Sequence, residues 1–164
     1  MRLYPVCITA MAVFAAFLFV AAGAMLTWEV GARYLFVKPT IWAAELSQIC
    51  LIWGSLLAMP WCLRERRHIR ITAVIALLSP GPRRIADIAA MLGVALFSGF
   101  VAWYGWQIFW TSLIRGRTAG TMLDPPMWII ELSAPFGFAF LLIQALIEAK
   151  RAWCGEIVAD GAHE

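Results

Sequence analysis

Charge, paired cysteines and histidine are what this chain is short of, and each shortage removes a class of function. Only 14% of its side chains are charged while 63% are hydrophobic, with a mean hydropathy of +0.80. A soluble core of this size cannot hide that much apolar surface, so lipid must cover much of it. The four cysteines, Cys7, Cys50, Cys62 and Cys154, are isolated and form no C-x-x-C, whereas a membrane thiol oxidase needs pairs. They read as small apolar packing residues. The two histidines, His68 and His163, fall outside the apolar stretches, which removes a haem-carrying subunit ligated from within its helices. There is no Gly-rich phosphate loop, no His-x-x-x-His, no Ser-His-Asp arrangement and no inverted repeat of the kind found in many complete transporters. The longest connection, Arg64 to Arg84, is too short for an extramembrane catalytic domain. No enzyme activity, cofactor or metal site is expected on this chain.

What is present is four apolar stretches, about 6–28, 41–63, 88–114 and 128–147. Each is long enough to cross the roughly 30 Å hydrocarbon layer as a helix, which takes about 20 residues. The expected fold is an all-α membrane protein, a single membrane domain over 1–164 with four transmembrane helices and a tail from 148. After the basic knot Arg64-Glu65-Arg66-Arg67-His68, the segment 69–78 is apolar except for Arg70 and Thr72 and stops at Ser79-Pro80-Gly81-Pro82. Thr72 can cap a short helix and the prolines end it. This is read as an amphipathic helix lying in the membrane interface between the second and third spans, with Arg64, Arg66, Arg67 and Arg70 reaching lipid phosphates; an ordinary tight loop is the alternative.

Basic residues near span ends are retained on the cytoplasmic side. The N-terminus, middle connection and C-terminal tail hold nine of them, the two other connections four: Arg33, Lys38, Arg115 and Arg117. Both termini are therefore expected in the cytoplasm. The net charge of +3 reflects this bias, and no basic stripe interleaved with aromatics suggests nucleic acid as a partner. Ala22-Gly23-Ala24 has the small residues of a signal-peptidase site, but the apolar run continues through Met25, Leu26 and Trp28, which favours an uncleaved anchor.

The residues then carry a resemblance. Arg33-Tyr34-x-Phe36, Trp42-x-x-Glu45-Leu46, Trp53-Gly54, His68-Ile69-x-Ile71, Pro125-x-x-Trp128 and Pro135-x-Gly137 occur in that order. In order and spacing the chain resembles the small membrane subunit of the tripartite ATP-independent periplasmic (TRAP) transporters over about residues 6–150. It departs from the family where an acidic pair is frequent and Ala44-Glu45 stands, and at Thr72, where an aspartate is usual. The resemblance implies a scaffold subunit without a solute site of its own, in a bacterial inner membrane. It implies a large membrane subunit holding the sodium and solute sites, and a periplasmic solute-binding protein that docks on the outer face. The solute implied is carboxylate-like and the driving force a sodium gradient.

Several residues are candidates within that picture. Glu45 and Glu131 are the carboxylates inside expected spans, functional candidates by default. Each lies near an outer end, where a structural ion pair or a contact with the large subunit are both open. Arg33 is the natural partner of Glu45, and since Glu29 and Arg33 are i, i+4 it is expected to be shared. Eight of the nine tryptophans fall near span ends, as interfacial anchors do, and Trp53 sits mid-helix. Trp103, Trp106 and Trp110 share one face of the third span and meet either the large subunit or lipid. Ala86, Ala89, Ala90 and Gly93 form two small-x-x-x-small pairs, expected to pack within the four-helix unit. Arg115, Arg117 and Asp124 are candidates for docking the binding protein by charge, or are a solvated loop. A rival function is a small proton-coupled multidrug or cation exporter, working as an oligomer through Glu45.

Overall fold

The computed structural model describes residues 3–35, 40–65 and 80–154. Among them the chain is helical, with α1 at Leu3–Leu35, α2 at Ile41–Arg64, α3 at Pro80–Arg115, a short α4 at Met127–Glu131 and α5 at Ser133–Cys154. Four stretches are long and apolar enough to cross a membrane: Val6–Leu35, Trp42–Arg64, Ile88–Arg115 and Met127–Arg151, the last running through α4 and α5. The interfacial helix expected over 69–78, with Arg66, Arg67 and Arg70, lies outside the described residues.

The helices stand in one layer, in the order α1, α2, α5, α3, each packed on the next; among the described residues α1 makes no extensive contact with α3 or α5. The burial pattern shows why. Along α1 the covered positions are Tyr4, Ile8, Met11, Ala15, Leu18, Ala22, Met25, Glu29 and Ala32, an alternation of three and four residues that makes one seam. α3 repeats it with Ile88, Met91, Ala95, Ser98, Ala102, Gly105, Phe109 and Ser112. One seam serves one neighbour, so these two helices end the row. Accordingly 17% of the apolar window is buried in α1 and in α3, against 28% in α2 and 33% in the span through α4 and α5. Where α2, α5 and α3 meet, Leu63, Ala95, Leu141 and Ala145 form a small buried cluster, with Met59, Met91, Val94, Phe138 and Leu142 packed around it.

Lipid tails are as apolar as leucine, so helices associate in a bilayer by close approach of backbones rather than by hiding grease from water. Glycine provides that approach at each junction of the row. A Cβ at Gly54 of α2 would lie 3.4 Å from the Ala15 carbonyl oxygen of α1, and one at Gly105 of α3 would lie 3.2 Å from Pro135 Cδ of α5. The central junction is tightest. A Cβ at Gly137 of α5 would sit 2.8 Å from Leu56 Cβ and 3.1 Å from the Leu56 carbonyl oxygen of α2. That carbonyl belongs to the residue four before the buried Pro60, whose ring has no N–H to donate back to it. α5 therefore seats its smallest residue against the one stretch of α2 where the helix ladder is open. Pro135 has the matching effect on Glu131, and the helix breaks at Leu132 between α4 and α5.

Three helices outrun the sequence expectation: α3 already begins at Pro80, ahead of the expected start at 88. α1 continues past Trp28 to Leu35 and takes in Glu29 and Arg33, and α5 continues past Ile147 to Cys154. In α5 the extra turns are held by a polar ladder: the Gln144 amide donates to Glu148 Oε1 at 3.0 Å and Arg151 Nη1 donates to the same oxygen at 3.1 Å. The small-residue pairs of α3 are placed differently from expectation: Ala89, Ala90 and Gly93 are exposed, because the seam runs through 88, 91 and 95 instead.

Gly137→Ala should lower the melting temperature of the chain in detergent, by a destabilisation of about 1–3 kcal/mol typical of an overpacked contact. Gly93→Ala, where a Cβ meets nothing within 4 Å, should melt like wild type; equal melting of all three proteins would refute the tight α2–α5 contact.

Candidate functional site

One end of the layer collects Arg33, Glu45, Arg115, Arg117 and Asp124 among the candidate residues: the end of α1, the start of α2, and residues 116–126 joining α3 to α4. Two carboxylates organise it, each through hydrogen-bond donors from a different part of the chain.

Glu29 lies near the C-terminus of α1, where a negative charge opposes the helix dipole and needs compensation. It is 5% exposed and has three donors. Arg33 Nη2 reaches Glu29 Oε1 at 2.9 Å, the Thr40 N–H reaches Oε2 at 3.0 Å, and the Thr40 hydroxyl also donates to Oε2. Thr40 is the residue before α2 but does not cap it with its side chain; its hydroxyl is spent on Glu29. The α1–α2 junction is thus closed by a buried carboxylate rather than by a helix cap.

Glu45 sits near the start of α2, where the dipole favours negative charge. It accepts from the Thr121 hydroxyl at 2.7 Å and from the Leu123 N–H at 3.3 Å. Arg33 is therefore not shared, contrary to the sequence expectation: its partner one turn away on the same helix is Glu29, while Glu45 faces the α3–α4 loop. That loop is a compact hairpin. Met127 N–H donates to the Arg117 carbonyl at 3.0 Å, Ala119 N–H to that of Pro125 at 3.1 Å, and Thr118 pairs with Pro126. Gly116 and Gly120 take positive φ, as does Asp124 at 50°, a conformation aspartate tolerates better than most side chains. Asp124 Oδ1 accepts the Gly120 N–H at 3.0 Å, so one of its oxygens shapes the loop. Arg115 and Arg117 are exposed on it.

Glu131 is half-buried at the α4–α5 break, and its Oε2 is covered with no hydrogen-bond partner among the described residues. Close by in the chain, the Ile129 carbonyl accepts Trp53 Nε1–H at 3.0 Å, which explains a tryptophan in mid-helix: it ties α2 to the broken turn. The tryptophans of the third span all face outward, Trp103 67%, Trp106 52% and Trp110 51% exposed, with Trp106 stacked on Trp110. At the opposite end of the layer Arg64 Nη1 donates to Thr9 Oγ1 at 3.4 Å.

Sequence reasoning did not find the loop contacts of Glu45 or the Trp53–Ile129 bond, since nothing local in sequence links positions 76 residues apart. It noticed Glu29 only as a neighbour of Arg33, although an acidic residue near the end of an apolar run is itself a signal that donors converge there. Glu148, read as part of a tail, is 3% exposed. Chemically the loop end holds no nucleophile–base pair, and among the described residues no group of three or more His, Cys, Asp or Glu suits a metal ion. It is a fastening, with an exposed basic surface above it.

Comparison with known proteins follows the same lines. Residues 22–155 match the family described as "Tripartite ATP-independent periplasmic transporters, DctQ component". The C4-dicarboxylate TRAP transporter small permease protein DctQ of Rhodobacter capsulatus is 26% identical over 106 residues, covering 65% of this chain and 46% of that protein. The sialic acid TRAP transporter small permease protein SiaQ of Vibrio cholerae is 26% identical over 75% of this chain and 69% of its own length. The ectoine TRAP transporter small permease protein TeaB of Halomonas elongata is 27% identical over 71% of this chain and 60% of its own length. The chain thus spans about half of the first of these relatives and rather more of the other two.

Glu45→Ala removes two hydrogen bonds to a charged acceptor at an exposed site. It should free the 116–126 hairpin, so that trypsin cuts after Arg117 roughly 3- to 10-fold faster than in wild type. An unchanged cleavage rate would mean that the hairpin holds itself.

Proposed function

This chain belongs to the DctQ component family of the tripartite ATP-independent periplasmic transporters, a family of transporter subunits rather than enzymes, and from that premise we propose that it is the small permease subunit of one such transporter. In this reading it lies in the bacterial inner membrane as a multi-pass protein with both termini in the cytoplasm, an orientation supported by the nine-to-four distribution of basic residues. It pairs with a large membrane subunit that holds the solute and sodium sites. A periplasmic solute-binding protein docks on the loop end, where Arg115 and Asp124 are exposed.

The observation that carries the reading is the single layer of helices. A solute pathway needs helices on all sides, and a row of four whose end helices make no extensive contact with each other among the described residues encloses none by itself. Glu45, the residue an exporter would need, is occupied in holding a loop, whereas carrying a proton or cation requires a carboxylate free to change partners. A rigid layer of this kind suits a scaffold against which another subunit moves. For the cargo we propose a carboxylate-type solute. The relatives are named for a C4-dicarboxylate, sialic acid and ectoine, yet stand at 26–27% identity alike; this supports placing the choice of solute in the other subunits.

In proteoliposomes the chain alone should accumulate no solute. With its large subunit and binding protein it should support uptake that follows an inward sodium gradient. Accumulation by the chain alone would refute the scaffold reading, and uptake indifferent to sodium would refute the driving force. A reporter fused after Glu164 should read as cytoplasmic; a periplasmic signal would invert the topology.

A further inference from the structure

The two ends of the row differ in chemistry. The outward face of α1 is apolar: Val13, Phe17, Val20 and Val30 are exposed, and its hydroxyl at Thr27 is satisfied by the Gly23 carbonyl at 2.8 Å. That surface suits lipid tails. The outward face of α3 does not. Gln107 lies opposite the α3 contact seam and is exposed, and among the described residues its backbone carbonyl accepts the Thr111 hydroxyl while its side-chain amide has no hydrogen-bond partner. The span Ile88–Arg115 is 28 residues, about 42 Å against about 30 Å of hydrocarbon, so a centred helix overhangs by about 6 Å at each end. Gln107, eight residues from Arg115 and hence about 12 Å from it, lies within the hydrocarbon layer. Lipid cannot hydrogen-bond an amide there, so a protein group must.

The surroundings fit a protein neighbour. Tyr104, Gln107, Ile108, Thr111 and Arg117 line a shallow depression of about 240 Å³. Arg117 at its rim makes no side-chain hydrogen bond or ion pair among the described residues, which calls for an acidic group on whatever fills it. Lower on the same face Gly93 is open, with nothing within 4 Å of a Cβ placed there, leaving room for a second helix to come close.

We propose that this outward face of α3, centred on Gln107, is where the large membrane subunit docks, through a transmembrane helix that offers a hydrogen-bonding side chain to Gln107 and a carboxylate to Arg117. The inference rests on the reading of the chain as one part of a two-part permease and adds which face is used: the end of the row at α3 meets protein, and the end at α1 meets lipid.

The test is photo-crosslinking in membranes that contain the full chain and its large subunit, with p-benzoylphenylalanine at position 107, 48 or 17. Position 48 replaces Gln48, an exposed amide on α2. Adducts with the large subunit from 107 and none from 17 are expected. Adducts from 17 or 48 with none from 107 would overturn the assignment, and an adduct joining two copies of this chain at 107 would replace the large subunit with a second copy. Gln107→Leu should weaken copurification of the large subunit roughly 3- to 30-fold, the range of interhelical hydrogen bonds in bilayers, while Phe17→Leu on the lipid-facing side of α1 and the melting of the isolated chain stay at wild-type values. Wild-type chain that fails to copurify with the large subunit would defeat the two-part reading itself; normal copurification with unaltered binding by Gln107→Leu would defeat this face alone.

Discussion

The layer depends on the contact between α2 and α5. These two helices are the only link between the α1 side and the α3 side of the row among the described elements, apart from the short α4, and their closest approach is Gly137 on the Leu56 backbone. In water a close contact of this sort would be reinforced by hydrophobic burial around it. In hydrocarbon that term is absent, and what remains is dispersion between surfaces that touch. Pro60 and Gly137 therefore act as a pair: the proline leaves a carbonyl outside the helix ladder and the glycine lets the neighbouring helix reach it. The Trp53 bond to the Ile129 carbonyl repeats the principle one turn away, since it too uses a backbone acceptor beside a proline-induced break.

The carboxylates follow from the same scarcity of alternatives. A charge near hydrocarbon is tolerated when donors surround it, and Glu29, Glu45 and Glu148 each gather donors from outside their own immediate turn or from a cation on it. Glu29 takes a backbone N–H and a hydroxyl from across the α1–α2 junction; Glu45 takes the same two kinds of donor from the α3–α4 hairpin. Neither is paired with a distant arginine. Thr40 and the α3–α4 hairpin are thus each pinned to a helix end by a carboxylate that would be costly to leave unsatisfied.

How far the sequence reached is clear from particular residues. The four spans were legible because an uninterrupted apolar run has one outcome in a chain this poor in charge. The Glu29–Arg33 pair was legible because one helical turn is a local relation. Glu45 was assigned Arg33, a cation expected on the same side of the membrane, since Thr121 and Leu123 come beside it only when α3 and α4 are folded against α2. The order of the row was hidden for a related reason. Every span is apolar over most of its circumference, so periodicity does not distinguish a seam from a lipid face, and the seam through 15, 18 and 22 or through 95, 98 and 102 is visible only once burial is known. The exposed Ala89 and Gly93 make the point in reverse: small residues mark where a helix can be approached, not which helix approaches.

A row of four helices has two broad faces and two edges, and this one has dissimilar edges. Such asymmetry would be pointless in a chain that lipid surrounds evenly, because an unpaired amide at membrane depth is a standing cost. It becomes sensible if one edge is completed by protein. The same geometry accounts for rigidity. Each junction is set by a glycine against a backbone or a proline ring, contacts with little room to slide, and each loop contact at the outer end is held by a carboxylate with its donors already in place. A subunit built this way resists deformation along its layer, and that resistance is the property the scaffold role proposed above requires.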